Sequence, residues 1–329
     1  MNGRKRQQIC MNELVTHSGW ISELVQLVWQ YVGTDFVSQL LLIGHTAGVT
    51  SVAVSGGCLV TSSNDRTVRL WDINMNILNE RKHHYFRTLT EHTSCVLAVT
   101  SMGDGLVASG SSDNTLRIWD TFSGRCLHTL TGHTSAVCTV TVALGGKFLV
   151  SGSWDNTMRV WDSSSGRCVH IMRGHTSNVM TVVEVESELL VSSSLDHTLR
   201  VWHVDPSQFS CLHTLRGHTA GVNTVAPGGC GTVVSGSSDR TVRVWETRNG
   251  SCLRTLRGHT GPVNAIAVFA DGRIVSGSAD NTLRVWDTKS GRCMQQLSGH
   301  TAFVSSVAVI DQGCIVSGAE DNSVRVWTE

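Results

Sequence analysis

Proline and tyrosine are scarce in this chain, since three prolines and two tyrosines stand beside 32 glycines among 329 residues. Little proline with much glycine is typical of many short strands joined by tight turns. No apolar run exceeds a few residues, and the stretch 20–32 is interrupted by Glu23, Gln26 and Gln30. The sequence therefore predicts neither a membrane-spanning helix nor a secretory segment.

The chain has no net charge either, because 26 basic residues balance 26 acidic ones. No global field draws the chain toward nucleic acid or an anionic membrane, so we expect neither as a partner. The signatures G-x-x-x-x-G-K-[ST], G-x-G-x-x-G and H-E-x-x-H are absent too. Since these motifs carry common nucleotide and zinc chemistry, we expect no cofactor.

The chain does contain one pattern repeated seven times. In every copy a tryptophan stands six residues after an aspartate, and a histidine followed by threonine stands upstream. The histidines recur every 41 to 47 residues, a period that indicates a repeat architecture. The tryptophans are Trp71, Trp119, Trp161, Trp202, Trp245, Trp286 and Trp327. The aspartates are Asp65, Asp113, Asp155, Asp196, Asp239, Asp280 and Asp321. The histidines are His45, His92, His133, His175, His218, His259 and His300.

This pattern resembles the WD40 family. The resemblance covers residues 36–329 and implies an all-β fold, a seven-bladed WD40 β-propeller whose four-stranded blades surround a central channel. Residues 1–35 form a short N-terminal helical extension in this prediction. Apolar residues recur there at helical spacing over residues 20–32, and Gly33 is the expected stop of one amphipathic helix.

The strands of one blade are clearest in the repeat that begins at His259. Alternating apolar residues and turn residues predict strands over 263–268, 274–278, 282–286 and 293–297. The last repeat ends at its third strand, and residues 38–45 align with a fourth strand leading into the next histidine, residues 126–133. We therefore expect residues 37–42 to pair with the strand of residues 324–327 and close the ring.

The resemblance also implies a role for the repeated side chains. In the family, histidine, a hydroxyl, aspartate and tryptophan form a hydrogen-bonded tetrad that ties each blade together. A hydroxyl lies four positions before every aspartate, in Thr61, Ser109, Ser151, Ser192, Ser235, Ser276 and Ser317. The hydroxyl two positions before the aspartate becomes Ala319 in the last repeat, so the first set is the predicted one.

Serine, histidine and aspartate are also the ingredients of nucleophilic hydrolysis. Seven equivalent copies favour a structural role, because an enzyme needs one exposed nucleophile beside an oxyanion site. We therefore expect no catalytic residue. An enzyme alternative would rest on Cys95 or Cys230, which lie outside the recurring cysteine register.

Eleven cysteines, an odd number, favour reduced thiols in an intracellular compartment. We expect a cytoplasmic protein, with the nucleus as an alternative. Five cysteines lie seven residues before a repeat histidine: Cys126, Cys168, Cys211, Cys252 and Cys293. Cys-x-His pairs at three of them look like metal ligands, but each pair falls on a different blade. We therefore expect no metal site.

Partner binding is expected where the repeats differ, on the upper face onto which the aspartate turns open. Just before the aspartates, Trp154 and Leu195 stand out on adjacent blades, with Asn178 and Met180 nearby and Phe303 three blades on. An exposed aromatic residue beside an aliphatic one is typical of an interface hot spot. The alternative is that Trp154 lies flat against its own blade.

Two further features are candidates for binding. Arg66 and Arg240 follow their aspartates, where they either pair with a partner's carboxylate or phosphate or remain solvated turn residues. On the opposite face, the loop between Asn74 and Thr88 is about seven residues longer than its equivalents. That loop is either a second docking site or a tolerated insertion.

Propellers of this family act as rigid platforms, which predicts a non-catalytic protein–protein interaction scaffold, a monomer within a larger complex. Sequence segments such as S-G-R-C-L-H-T-L are similar to those in the propellers of F-box/WD-repeat ubiquitin-ligase receptors. That similarity implies an alternative, the substrate-recognition subunit of a ubiquitin ligase. No F-box precedes the ring, so this role would require an adaptor that binds the propeller itself.

Overall fold

Twenty-seven short strands and one turn of 3-10 helix (Leu144–Gly146) form the fold in the computed structural model, which describes residues 45–55, 58–72, 85–205, 208–309, 314–321 and 324–328. Consecutive strands pair antiparallel as meanders, one sheet per repeat. Each sheet is a blade, numbered here along the chain. The all-β, seven-bladed fold predicted from the repeat is confirmed.

Blade 1 contains β1 (Val49–Ser55), β2 (Cys58–Ser63), β3 (Val68–Asp72) and β4 (Tyr85–Leu89). Blade 2 contains β5 (Val96–Gly103), β6 (Leu106–Ser111), β7 (Leu116–Asp120) and β8 (Cys126–Leu130). Blade 3 contains β9 (Val137–Ala143), β10 (Phe148–Ser153), β11 (Met158–Asp162) and β12 (Cys168–Met172). Blade 4 contains β13 (Val179–Glu186), β14 (Leu189–Ser194), β15 (Leu199–Asp205) and β16 (Gln208–Leu215).

Blade 5 contains β17 (Val222–Gly229), β18 (Thr232–Ser237), β19 (Thr241–Glu246) and β20 (Cys252–Arg257). Blade 6 contains β21 (Val263–Val268), β22 (Ile274–Ser278), β23 (Thr282–Trp286) and β24 (Cys293–Ser298). Its first three strands match the predicted bounds, and the fourth is one residue longer. Blade 7 contains β25 (Val304–Val309), β26 (Cys314–Ala319) and β27 (Val324–Thr328).

The blades form a closed ring through their first strands. The first strand of each blade contacts the first strand of the next, and β25 of blade 7 contacts β1 of blade 1. Side chains of neighbouring blades share each apolar core. Between blades 2 and 3, for example, Leu116 and Leu130 pack with Leu149 and Trp161. Because a single blade cannot bury both of its faces, stability depends on this stacking.

Small residues in the second strands allow the blades to approach closely. Gly152 in β10 lies close to blade 4, since a Cβ atom added to it would lie 2.7 Å from Cγ1 of Val179. Gly277 of blade 6 stands in the same relation to Val304 of blade 7, at 2.6 Å. A larger residue at either position would force the blades apart, which explains the repeated Ser-Gly pairs of the sequence.

Two predictions concern residues outside the described part of the chain, the helix over residues 20–32 and the closing strand of residues 37–42. In the described residues the sheet of blade 7 has three strands, in the order β25, β26, β27. Both expectations remain predictions.

The closing strand can be tested by truncation. Deleting residues 1–33 should leave a folded ring, while deleting residues 1–43 should expose an unpaired edge at β27 and cause aggregation. We expect the longer deletion to lower the melting temperature by roughly 5 °C or more, because a domain of this size shifts by about 2–4 °C per kcal/mol. Indistinguishable melting and solubility of the two truncations would show that these residues do not close the ring.

Candidate functional site

The upper face consists of seven turns before the third strands and seven segments before the first strands. In each blade the two are joined, because the backbone N–H of the residue before the repeat aspartate donates to a carbonyl of the segment. The pairs are Asn64–Gly48, Ser112–Cys95, Trp154–Ala136, Leu195–Asn178, Ser238–Gly221, Ala279–Pro262 and Glu320–Phe303, at 2.8–3.0 Å. The side chains at these positions are therefore presented from a fixed backbone.

Four side chains meet beneath each of these turns. In all seven blades the histidine Nδ1 lies 2.7–2.9 Å from the aspartate Oδ2. The histidine Nε2 lies 2.7–2.8 Å from the hydroxyl four positions before the aspartate. The tryptophan Nε1 donates to the same hydroxyl at 2.8–2.9 Å.

The proton positions in this tetrad follow from donor and acceptor capacity. An indole N–H only donates, so the hydroxyl oxygen accepts from tryptophan and its own proton is available for histidine Nε2. An ionised carboxylate only accepts, so histidine Nδ1 carries the proton and donates it to the aspartate. Every member is satisfied by a neutral histidine, and such a network stiffens its surroundings.

A threonine two residues after the aspartate is a further partner that the sequence analysis missed. Its backbone N–H and its hydroxyl both donate to the aspartate Oδ1, the hydroxyl at 2.6 Å. The residues are Thr67, Thr115, Thr157, Thr198, Thr241 and Thr282. Their recurrence in six successive repeats was a signal in the sequence. The backbone N–H of the threonine that follows the histidine donates to the aspartate Oδ2 as well.

These contacts set the protonation of the tetrads. At Asp280, burial alone would raise the pKa, but hydrogen bonds from Thr282, from the Thr260 N–H and from His259 outweigh it and lower the pKa to about 2. Burial lowers the pKa of His259 and outweighs the opposing effect of Asp280. The same directions hold in the tetrads of blades 1, 2 and 5. In these four blades the pairs are neutral histidine and ionised aspartate at neutral pH.

Two arrangements that resemble catalytic or metal chemistry in the sequence have other roles here. Ser192 is fully buried, accepts from Trp202 and bonds His175, so its hydroxyl does not face solvent. In the Cys-x-His pairs, the Cys126 thiol donates to the backbone carbonyl of His128. The ring of His170 stacks on Phe209 of the next blade, with centroids 4.4 Å apart.

Trp154 is the largest exposed aromatic side chain of the upper face and is 43% exposed. Its indole lies near the thiol of Cys138, whose pKa burial raises to about 12. The Cys138 thiol donates to the carbonyl of Val179 in blade 4 at 2.8 Å. Cys138 therefore joins blade 3 to blade 4 near Trp154.

The other predicted partner-binding residues differ in exposure and in position. Leu195 is half-buried and packs on blade 5, where a Cβ atom added to Gly221 would lie 2.7 Å from its Cδ2. Met180 and Asn178 are half-buried in blade 4. Phe303 is 49% exposed, but it belongs to blade 7, across the ring from blade 3. Leu195 thus packs on the next blade, and its role in partner binding stays a prediction.

Arg66 and Arg240 are exposed and adopt left-handed backbone conformations, with φ of 72° and 68°. The equivalent residue is asparagine in blades 2, 3 and 6, with φ of 68–70°. Asparagine tolerates this conformation better than arginine does, so the two arginines carry a local conformational cost. They lie on blades 1 and 5 and do not form one site.

The lower face carries an exposed aromatic residue that the sequence analysis did not single out. Phe122 is 77% exposed and lies over Gly105, where any Cβ atom would collide with its ring. Beside it, the Arg87 guanidinium of β4 donates to the Ser123 carbonyl. β4 follows the long loop of blade 1, so that loop returns to the fold next to Phe122. Residues 73–84 of the loop lie outside the described residues.

Comparison with known proteins agrees with this geometry. Seven segments match the WD domain, G-beta repeat of the WD40 family: residues 36–72, 84–120, 124–162, 166–203, 209–246, 250–287 and 291–328. The chain belongs to the WD40 family, whose propellers generally act as non-catalytic scaffolds for protein–protein interaction. It is also similar to the crystal structure of the WD40 beta propeller domain of Doa1, with a TM-score of 0.74 and 26% identity, covering 89% of this chain and 98% of that one.

Curated relatives share shorter stretches. The chain is 27% identical to Mitochondrial division protein 1 of Schizosaccharomyces pombe over 31% of its own length and 18% of the relative's. It is 32% identical to Autophagy-related protein 16 of Arabidopsis thaliana over 30% and 19% of the two lengths. It is 33% identical to COMPASS component SWD3 of Saccharomyces cerevisiae over 27% of both. The chain matches less than a third of the length of each relative. Within its described residues, no helix is long and apolar enough to cross a membrane.

The tetrad protonation predicts how stability depends on pH. Consider a histidine whose pKa in the folded protein lies below its unfolded value near 6.5. Its contribution to the free energy of unfolding is fully present above pH 6.5 and is lost as the pH falls toward the folded pKa. Each such histidine adds at most about 1.4 kcal/mol per pH unit to the slope. The aspartates add a loss that begins below about pH 4 and extends toward their folded pKa of about 2 at Asp65 and Asp280.

We therefore expect the free energy of unfolding in urea to decrease from pH 7.5 to pH 5, before any carboxylate titrates. The variant His259→Gln, which removes one contributing histidine, should show a shallower slope than the wild type. A free energy of unfolding that is flat or rises as pH falls over this range would contradict neutral tetrad histidines.

Proposed function

We propose that the chain is a scaffold whose upper face binds a segment of a protein partner, with Trp154 as the anchor of the interface. The observation that carries this proposal is the 43% exposure of a large aromatic side chain on a turn whose backbone is fixed by a hydrogen bond from the Trp154 N–H to the Ala136 carbonyl. A tryptophan side chain has few rotatable bonds and loses little conformational entropy on binding. Tryptophan is also among the residues most enriched in interface hot spots.

The surroundings of Trp154 indicate the chemistry of the partner. Near Trp154, the first strands of blades 3 and 4 carry Cys138 and Met180. On the side of blades 5 and 6 they present Asn223 and Asn264, whose amides hydrogen-bond to each other. A partner segment with an apolar side chain over Trp154 and exposed backbone groups over the asparagines is complementary to both sides.

Arg240 extends this surface with a positive charge on blade 5. Its left-handed backbone would be relieved by asparagine, which four other blades carry at the same position. Retention of a conformationally costly residue supports a functional role for the arginine. We expect it to favour a carboxylate on the partner. Arg66 has the same conformation on blade 1 and would contact a different part of the partner.

We propose a second binding surface on the lower face, formed by Phe122 and the loop between Asn74 and Thr88. The high exposure of Phe122 and the contact of Arg87 with the turn of blade 2 support it. If the chain is instead a ubiquitin-ligase receptor, the degradation substrate would occupy the upper face, so partner identification on that face also decides this alternative.

Truncation of Trp154 tests the upper-face proposal. Trp154→Ala should weaken a native partner by about 2 kcal/mol or more, roughly thirtyfold in Kd, with little change in melting temperature. The measurement is affinity purification with mass spectrometry, followed by a titration of the partner that is recovered. Leu127→Ala is the matched control, since Leu127 is an exposed apolar residue on β8, the outer strand of blade 2.

A partner that remains bound to Trp154→Ala as tightly as to the wild type would disprove the anchor. Equal losses in both variants would show that the indole has no special role. A large drop in melting temperature for Trp154→Ala alone would identify a core residue instead.

A further inference from the structure

Blade 5 lacks two apolar side chains that other blades use to fill the space between neighbours. The residue seven positions before the tetrad hydroxyl is apolar in six repeats and glycine in one. These residues are Val54, Met102, Leu144, Val185, Gly228, Phe269 and Ile310. Met102, Leu144, Val185 and Phe269 each pack against an apolar core between blades. Gly228 contributes no side chain at the equivalent place.

A second truncation occurs at the start of the second strand, three positions before the tetrad hydroxyl. Blades 2, 3 and 4 carry Leu106, Phe148 and Leu189 there, all of which are half-buried or buried. Blade 5 carries Thr232, whose hydroxyl turns back to donate to the Gly229 carbonyl at 2.7 Å. Both truncations lie at the lower end of the blade, on the side that faces blade 6.

The result is a cavity of about 420 Å³ between blades 5 and 6. Gly228 and Thr232 line it together with Val234, Val244 and Val268. This volume lies within the range of about 300–1,000 Å³ that is usual for ligand sites. The Thr288 hydroxyl also lines the cavity. Its counterparts Thr121 and Thr247 donate to a glycine carbonyl, whereas Thr288 makes no such bond within the described part of the chain, so its hydroxyl can donate to a ligand.

Positive charge surrounds the mouth of this cavity. Arg254 lines it, and its guanidinium is held near the turn of blade 6 by donation to the Lys289 carbonyl at 3.3 Å. Arg248, Lys289 and Arg292 are exposed on the adjoining turns. Three carboxylates of the same turns accept hydrogen bonds within the fold: Glu246 accepts from Asn249, Asp287 from Ser290, and Asp271 from Arg273. The Arg254 charge has no ion-pair partner among the described residues.

We propose that this cavity, here called the blade 5–6 cavity, binds an apolar side chain of a partner peptide that carries a carboxylate beside it. The apolar group enters against Val234, Val244 and Val268, while the carboxylate pairs with Arg254 at the mouth. The pairing favours arginine because its guanidinium offers two parallel donors to one carboxylate. The cavity opens on the lower side, so this inference is independent of binding on the upper face.

The chemistry can be tested with two small probes that differ only in charge. The carboxylate 3-phenylpropionate and its neutral counterpart 3-phenylpropanamide are titrated into the full chain, labelled at valine, leucine and threonine methyl groups, and followed by NMR. We expect saturable shifts at Val234, Val244 and Val268, with a Kd in the millimolar range for so small a ligand. The carboxylate should bind at least threefold more tightly than the amide.

Three variants locate the site. Thr232→Leu supplies the side chain that blades 2 and 4 carry and should weaken both probes at least tenfold. Arg254→Gln should reduce the affinity for the carboxylate to that for the amide. Leu253→Asp places a negative charge on an exposed residue of the cavity rim, so the protein should fold normally and reject the carboxylate. Arg167→Gln, a surface arginine on blade 3, is the matched control and should leave both affinities unchanged.

The proposal is overturned if the methyl shifts do not saturate or arise elsewhere in the protein. It is also overturned if Thr232→Leu, with an unchanged melting temperature, binds both probes as the wild type does. Equal affinities for the two probes in the wild type would show that the site does not recognise the carboxylate. Loss of carboxylate preference in Arg167→Gln would show that the preference reflects net charge rather than Arg254.

Discussion

A single buried hydroxyl in each blade is the contact on which the rest of this structure depends. It accepts the indole N–H of the third strand and bonds the imidazole that precedes the first strand. It therefore joins three parts of the blade that are far apart in the chain. Each of the three groups would be costly to bury alone, because an unsatisfied buried polar group costs about 1–3 kcal/mol. Together they are satisfied and hold the upper-face turns in place.

This constraint also determines where the seven blades are free to differ. Positions within the tetrad and at the close contacts between blades are occupied by the requirements of folding. Variation is confined to the turns, the channel mouth and the lower ends of the strands. Trp154, Arg240 and Gly228 are all departures at such positions, and each changes the surface without disturbing a tetrad. The residues that stabilise the fold and the residues that are candidates for recognition therefore occupy different positions.

Much of the fold was predictable from spacing. The interval from aspartate to tryptophan predicted seven blades, and the alternation of apolar and turn residues placed the strands of blade 6 to within one residue. The choice between two sets of hydroxyls depended on one substitution, Ala319. The local sequence pattern is sufficient to place the strands, because they are short and pair with their neighbours in the chain.

The surface was less predictable, for physical reasons that differ between residues. Leu195 is half-buried because it packs on Gly221 of the following blade, a contact that no local pattern reveals. The surroundings of Trp154 include Cys138, which lies outside the recurring cysteine register and bonds Val179 of blade 4. The blade 5–6 cavity is visible in the sequence only once the repeats are aligned on the tetrad hydroxyl. Residues 37–42 remain a prediction, since they lie outside the described part of the chain.

The most direct test of the central claim is the loss of one tetrad carboxylate. Urea unfolding of Asp280→Ala should show a decrease of about 1–3 kcal/mol in the free energy of unfolding, because four hydrogen bonds to the carboxylate lose their acceptor. The matched variant is Asn281→Gly, whose left-handed backbone at φ 68° suits glycine, and it should change the free energy by less than about 0.5 kcal/mol. Equal decreases in the two variants would contradict a structure that depends on the tetrads.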